Sequence, residues 1–210
     1  MSSDTIKPET AWAGDFGADY TARNVASDDA LRMRTAMWGR IGQAFHDEPP
    51  RSILEVGCNL GLNLRVLPRL FDAELSAIEP NPAAREILLQ QKILPPERLY
   101  AGFGDKIPVA DGAVELAFTS GVLIHVAPEK LNATIDEIHR VSSKYVMCAE
   151  YFSPRAETLS YRGQEGLLFR NDFGGCYMDR FADLELVDYG FFWKRATGLD
   201  DVTWWLFRKR

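Results

Sequence analysis

The sequence predicts an α/β fold built on a largely parallel sheet with helices on both faces. Three observations lead there. Short apolar runs alternate with amphipathic stretches between residues 52 and 149, and strands that read as nearly continuous apolar runs are those buried on both faces. The first apolar run passes through glycines straight into a helical pattern, as a strand does when its carboxyl end borders a ligand. The 210 residues, 46% of them hydrophobic, suffice for one such core and fall short of two.

Each element has a local cause. Residues 1–10 read as a loose tail. Residues 27–46 read as a helix, with Ser27 able to cap it, Asp28 and Asp29 suited to its first turn, and Ala30, Met33, Met37, Trp38, Ile41 and Phe45 at helical spacing. Pro49 and Pro50 stop it. Ser52–Val56 is a strand and Leu62–Leu70 a helix; Glu74–Ile78 is a strand, and Pro82–Gln91 a helix with Asn81 as cap and Pro82 at its first position. A short strand near Leu99–Ala101, a strand over Val114–Thr119, a helix over Glu129–Val141 and a strand over Lys144–Ala149 follow. The last two runs, around Leu184–Trp193 and Val202–Arg208, are expected to pair as an antiparallel edge. The whole reads as one domain, residues 1–210, with 1–46 as an N-terminal lid and helix and 152–181 as an insertion.

Composition narrows the function. A formal net charge of −6 argues against a nucleic-acid surface, which needs clustered cations. No apolar run approaches the ~18–20 residues of a membrane span. The opening Met1-Ser2-Ser3-Asp4 lacks a charged-then-apolar leader, so a cytoplasmic location is expected. Cys58, Cys148 and Cys176 are widely spaced, as are His46, His125 and His139, and no metal site follows.

The site is expected at the glycine loop. Glu55-Val56-Gly57-Cys58-Asn59-Leu60-Gly61 carries an acid in the strand and two glycines four apart; Glu79, the second acid, stands eighteen positions after Gly61, at the end of the second strand run. Glycines admit a ligand close to the backbone, and a strand-end carboxylate accepts from ribose hydroxyls, which together describe an adenosine-type cofactor site. The dinucleotide pattern G-x-G-x-x-G is not present. Gly57, Glu79, Gly102–Asp105 and Thr119–Gly121 all fall at the carboxyl ends of predicted strands, where α/β sheets bind ligands.

The loop resembles the E-x-G-x-G-x-G motif of class I S-adenosylmethionine-dependent methyltransferases, with Asn59 in place of the middle glycine. Residues 118–128, Phe-Thr-Ser-Gly-Val-Leu-Ile-His-Val-Ala-Pro, resemble the segment after the fourth strand of that class. Trp12-Ala13-Gly14-Asp15-Phe16-Gly17 with Tyr20, Arg23 and Asn24, and Asp188 to Arg195 with Asp200, Asp201 and Thr203-Trp204-Trp205, resemble a narrower group, the pseudaminic acid biosynthesis-associated methylases. The resemblance implies a Rossmann-like fold with a seven-stranded sheet whose last strand is antiparallel. It implies S-adenosyl-L-methionine as cofactor, held by Glu55, Gly57, Asn59, Gly61 and Glu79, with Phe103, Gly104, Ser120 and Gly121 completing the site and Arg23 at the methionine end. His125 is the candidate base, with Tyr20 and Tyr151 as further catalytic candidates.

The glycine-bearing segment after the fifth strand is read as a substrate lid in which Arg155, Arg162 and Tyr177 contact the acceptor. The expected reaction is methyl transfer to a small, polar, anionic metabolite, an acidic sugar or an amino-acid-like molecule. A cyclase or lyase that consumes the same cofactor and releases methylthioadenosine is one alternative; a nucleotide-binding module without turnover is another. Oligomeric state is left open.

Overall fold

The computed structural model describes residues 7–46 and 48–210; of the tail expected over residues 1–10, positions 1–6 lie outside it. Beyond them Pro8–Ala13 is not loose but forms α1, with a proline in its first turn, and Asp15–Arg23 forms α2. The long helix α3 spans Asp28–Gly42, and the Ser27 hydroxyl accepts from the amide of Ala30 at its start. Gln43–Phe45 then tightens into a single turn.

The sheet follows in the predicted order. β1 (Ser52–Val56), β2 (Glu74–Glu79), β3 (Leu99–Ala101), β4 (Val114–Ser120) and β5 (Ser142–Glu150) pair parallel, while β8 (Leu184–Phe192) and β9 (Val202–Lys209) pair antiparallel. The spatial order is β3-β2-β1-β4-β5-β9-β8. The last strand, β9, therefore runs against both of its neighbours. The order reverses between β1 and β4, the place where an α/β sheet opens a crevice.

Alternation along the strands divides the core in two, because successive side chains point to opposite faces. Ile53, Phe118, Met147, Trp204 and Leu206 pack on one face under α3, α4 (Leu62–Val66) and α5 (Pro82–Gln90). Leu54, Ala117, Val146, Trp205 and Phe207 pack on the other, under α6 (Pro128–Val141) and α7 (Phe173–Arg180). Burial of each such large side chain contributes roughly 1.5–3 kcal/mol. Helix α4 is shorter than the expected Leu62–Leu70, since Pro68 turns the chain into a tighter coil over Leu67–Arg69.

The segment read as a lid has its own structure. Glu157–Tyr161 (β6) and Gln164–Arg170 (β7) form an antiparallel hairpin outside the main sheet. Arg162 and Gly163 at its tip both have positive φ (53° and 77°), as a two-residue turn of the primed type requires. A short helix, α8 (Lys194–Thr197), joins β8 to β9. No helix among the described residues is long and apolar enough to cross a membrane.

Candidate cofactor and acceptor site

A cavity of about 220 Å³ opens at the carboxyl rim where β1 and β4 diverge. Glu55, Gly57, Asn59, Glu79, Phe103, Gly104, Ser120, Gly121, His125 and Tyr20 line it, so ten of the residues singled out in the sequence meet there.

Backbone geometry explains the glycine loop. Gly57 has φ 73°, and a Cβ on it would lie 2.7 Å from Val122 Cγ2. Side chains rarely adopt that φ, and the branched Val122 has little freedom to move aside. Asn59 has φ 44°; asparagine is among the few residues that tolerate the left-handed region, which is why it can stand where relatives carry glycine. Gly104 is needed for space, because a Cβ there would meet Thr134 Cγ2 and Val56 Cγ1 at 2.9 Å each.

The Glu79 carboxylate accepts from the amides of Asn59 and Asn81, at 2.8 Å each. Burial raises its pKa while those two amides lower it. Asn81 caps α5 with Oδ1 and uses Nδ2 to hold the carbonyls of Trp12 (3.0 Å) and Gly14 (3.2 Å). Asn59 Nδ2 donates to Thr21 Oγ1 at 3.2 Å. The loop and the end of β2 thus fasten α1 and α2 across the cavity.

Glu55 is buried in β1. It accepts from Asn63 Nδ2 at 2.6 Å, and Asn63 in turn accepts from Trp38 Nε1 at 3.1 Å. Burial lifts the Glu55 carboxyl to about 8, against the opposing effects of Asn63 and Arg34. Arg34, on α3, lines the cavity and donates to Ser120 Oγ at 3.4 Å. Burial lowers its pKa and Glu55 raises it; a guanidinium remains charged in any case.

His125 lies in the turn after β4. Its Nδ1 is 2.6 Å from the carbonyl of Leu167 in the hairpin. A carbonyl only accepts, so Nδ1 carries the proton and Nε2 keeps the lone pair. Burial lowers the His125 pKa to about 4. Trp12 and Tyr161 lie 4.4 Å and 5.1 Å from the imidazole, and Trp12 is 5.2 Å from Tyr20. Glu150, which burial raises to about 7, accepts from the amides of Val122 and Ile124 and so holds this turn in place.

Several predicted residues lie elsewhere. Tyr177, expected at the acceptor, is fully buried in α7 beside Phe181 and Phe207 and does not line the cavity. Arg23 is exposed at the end of α2 and does not line the cavity. Tyr151 is also outside the lining; its hydroxyl donates to Asp200 at 2.8 Å, and burial followed by that bond raises its pKa. Arg155 is exposed, and Arg162 projects from the hairpin tip with its guanidinium 5.5 Å from the Tyr161 ring. Gly61 starts α4 against Leu88 rather than facing the cavity. Arg34 and Trp12 were missed as site residues. Arg34 left a signal: it stands on the same helical stripe as Trp38 and Ile41, and a cation on a core-facing stripe is unusual.

The residues suit S-adenosylmethionine. Asn59 Oδ1 is a buried acceptor without a partner on a cavity-lining residue, and Glu55 Oε2, likewise unpartnered, becomes an acceptor when its carboxyl ionises; the ligand's ammonium and ribose hydroxyls are donors. Among the described residues no cluster of side chains could hold a metal ion.

Residues 54–146 match a family model described as a methyltransferase domain. No curated protein matches the sequence. Among solved structures, the chain is similar to the 1,6-didemethyltoxoflavin-N1-methyltransferase of Burkholderia thailandensis, bound to 1,6-didemethyltoxoflavin and S-adenosylhomocysteine (TM-score 0.70, 17% identity, 100% of this chain and 93% of that one). It is similar to the N-methyltransferase NodS of Bradyrhizobium japonicum (TM-score 0.63, 14% identity, 88% and 99%). It is also similar to the [4+2]-cyclase SpnF (TM-score 0.60, 14% identity, 83% and 80%). At these identities the structures share the fold. With the family match over residues 54–146, the chain carries a methyltransferase domain on a Rossmann-like sheet, with the glycine loop and the strand-end acid at its rim.

Proposed function

We propose that this enzyme transfers the methyl group of S-adenosylmethionine to a small, polar, anionic metabolite. The observation that carries the proposal is the convergence of Glu79, the Gly57–Asn59 turn and the half-buried Arg34 on one cavity at the β1/β4 divergence.

In this reading Glu79 accepts from the ribose hydroxyls through lone pairs that its two amide contacts leave free. Arg34 takes the methionine carboxylate in a two-pronged grip, the part expected of Arg23. Glu55 faces the ammonium. Phe103 and Gly104 border the adenine, while Asp105 is held by Lys130 at 2.6 Å. When bound, S-adenosylmethionine supplies an activated methyl on a sulfonium whose leaving group is a neutral thioether. The chain then has to align the acceptor and exclude water, which α1 and α2 do over the cavity.

The likeness of the terminal segments to the pseudaminic acid-associated methylases favours an acidic sugar, and with it an anionic acceptor. The formal charge of −6 favours a metabolite over nucleic acid. Titration calorimetry with S-adenosylmethionine and S-adenosylhomocysteine tests the reading: both are expected to bind, and failure of both to bind would falsify it. Mass spectrometry of the coproduct separates methyl transfer, which releases S-adenosylhomocysteine, from a cyclase or lyase reaction, which releases methylthioadenosine.

A further inference from the structure

Asn81 holds three other parts of the chain at once. Its backbone N–H donates to Glu79 Oε1 at 2.8 Å, and its Oδ1 caps α5 by accepting from the amides of Ala83 and Ala84. Its Nδ2 reaches across to the carbonyls of Trp12 at 3.0 Å and Gly14 at 3.2 Å. Asn59 is placed in the same way: its N–H donates to Glu79 Oε2 at 2.8 Å, and its Nδ2 donates to Thr21 Oγ1 in α2 at 3.2 Å. The approach of α2 to Asn81 is close. A Cβ on Gly17 would lie 2.6 Å from Asn81 Nδ2, so the helix can rest on that amide only where it carries no side chain. Pro8, Glu9, Trp12 and Tyr20 of α1 and α2 line the cavity and form its roof, whereas Asn81 is buried behind the wall and does not line it. One carboxylate thus binds two backbone amides whose side chains both hold the roof.

We propose that Asn81, with Asn59 beside it, is a positioning residue that couples ribose binding at Glu79 to the seating of α1 and α2 over the cavity. The proposal rests on the S-adenosylmethionine reading and adds how the site closes over that ligand. Glu79 accepts from the ribose hydroxyls with the lone pairs that its two amides leave free. A carboxylate held from both sides keeps one orientation, and the N–H groups of Asn59 and Asn81 stay aimed at it. Their side chains start from those two backbones, so each Nδ2 is kept within reach of the roof. Atoms already ordered by a ligand cost less to order again, and the roof contacts strengthen when ribose is bound. The coupling is reciprocal: a seated roof holds Glu79 ready for ribose and retards release of the cofactor. Adenosine, which has the ribose and lacks the methionine part, is therefore enough to seat the roof.

Hydrogen exchange of the full chain, alone and saturated with adenosine or S-adenosylhomocysteine, tests the coupling. Both ligands are expected to slow exchange in the Gly57–Gly61 loop and, about tenfold, in α1 and α2. Asn81→Ser keeps a helix cap and both amides to Glu79 but removes the donor to Trp12 and Gly14. In that variant saturating adenosine should still protect the loop, while α1 and α2 slow by less than about twofold. Where Asn81→Ser does not fold, Thr21→Val cuts the Asn59 link from the roof side and should lower the protection of α1 and α2 to about threefold. Undiminished protection of α1 and α2 in the variant, or loss of loop protection along with it, overturns the coupling alone. So does a wild-type roof that adenosine leaves unprotected while it protects the loop. A Gly57–Gly61 loop that neither ligand protects in the wild type overturns the cofactor reading and the coupling with it.

Discussion

The carboxylate of Glu79 accepts the backbone N–H of Asn59 at 2.8 Å, joining the end of β2 to the middle of the glycine loop. One side chain therefore fixes the loop's shape and presents its remaining lone pairs to the cavity. Glu79→Gln replaces a carboxylate oxygen with an NH2 that cannot accept from Asn59 or Asn81. The variant is expected to bind S-adenosylhomocysteine roughly 10- to 100-fold more weakly, the range for losing a hydrogen bond to a charged group. Calorimetry reads this directly, and unchanged affinity would remove Glu79 from the ribose.

Arg34 is separable from the rest of the site by choice of ligand. Arg34→Ala should weaken S-adenosylhomocysteine roughly 10- to 100-fold and methylthioadenosine, which lacks the carboxylate, by about threefold at most. Arg23→Ala, a change at an exposed position, should leave both within about twofold. Equal losses for the two ligands in Arg34→Ala would detach Arg34 from the carboxylate.

Glu55 titrates at about 8 because it is buried, so at pH 7 the free enzyme holds it mostly protonated. A ligand ammonium beside it favours the carboxylate. Binding of S-adenosylhomocysteine at pH 7 is therefore expected to release up to one proton, and the calorimetric enthalpy should vary with the buffer's ionisation enthalpy. Glu55→Gln should abolish that dependence. The native pKa is raised, so the native state binds more protons than the unfolded chain between pH of about 4.5 and 8. The contribution of Glu55 to stability is full at low pH and declines as pH rises through 8.

His125 has the opposite sign. Burial lowers it to about 4, so its Nε2 lone pair persists well below the usual histidine range. As pH falls from about 6.5 to about 4, the unfolded chain gains this proton before the native one does, and stability is lost. The melting temperature of wild type relative to His125→Gln should fall as pH drops from 7 to 4.5. Any loss of methylation rate on acidification through 6.5 must then come from another group; a His125-dependent loss centred at 6.5 would contradict the buried, neutral imidazole.

What the chain made legible by itself was whatever depends on local chemistry. The alternation of apolar runs predicted β1 to β5 because strands buried on both faces have to be apolar throughout. The Gly57 turn and the acid at Glu79 were legible because a left-handed backbone and a strand-end carboxylate are demands on single positions. Ser27 and Asn81 were readable as caps for the same reason. The β6–β7 hairpin left only the Arg162-Gly163 pair as a signal, and its segment was read as a glycine-bearing substrate lid without strands.

Only the tertiary structure decided which distant groups meet. Arg23 and Arg34 both stand on helices near the N-terminus, but the packing of Trp38 and Ile41 into the core turns Arg34 toward the cavity while Arg23 faces solvent. Tyr177 lay in a segment rich in aromatics and glycine, and the docking of α7 on Phe207 placed it in the core instead. The pairing of Trp12 with His125 joins α1 to the turn after β4 across more than a hundred residues. Local patterns specify backbone conformation and burial; the angle at which one element docks on another is set by the sum of its packing contacts, and that sum is not written at any one position.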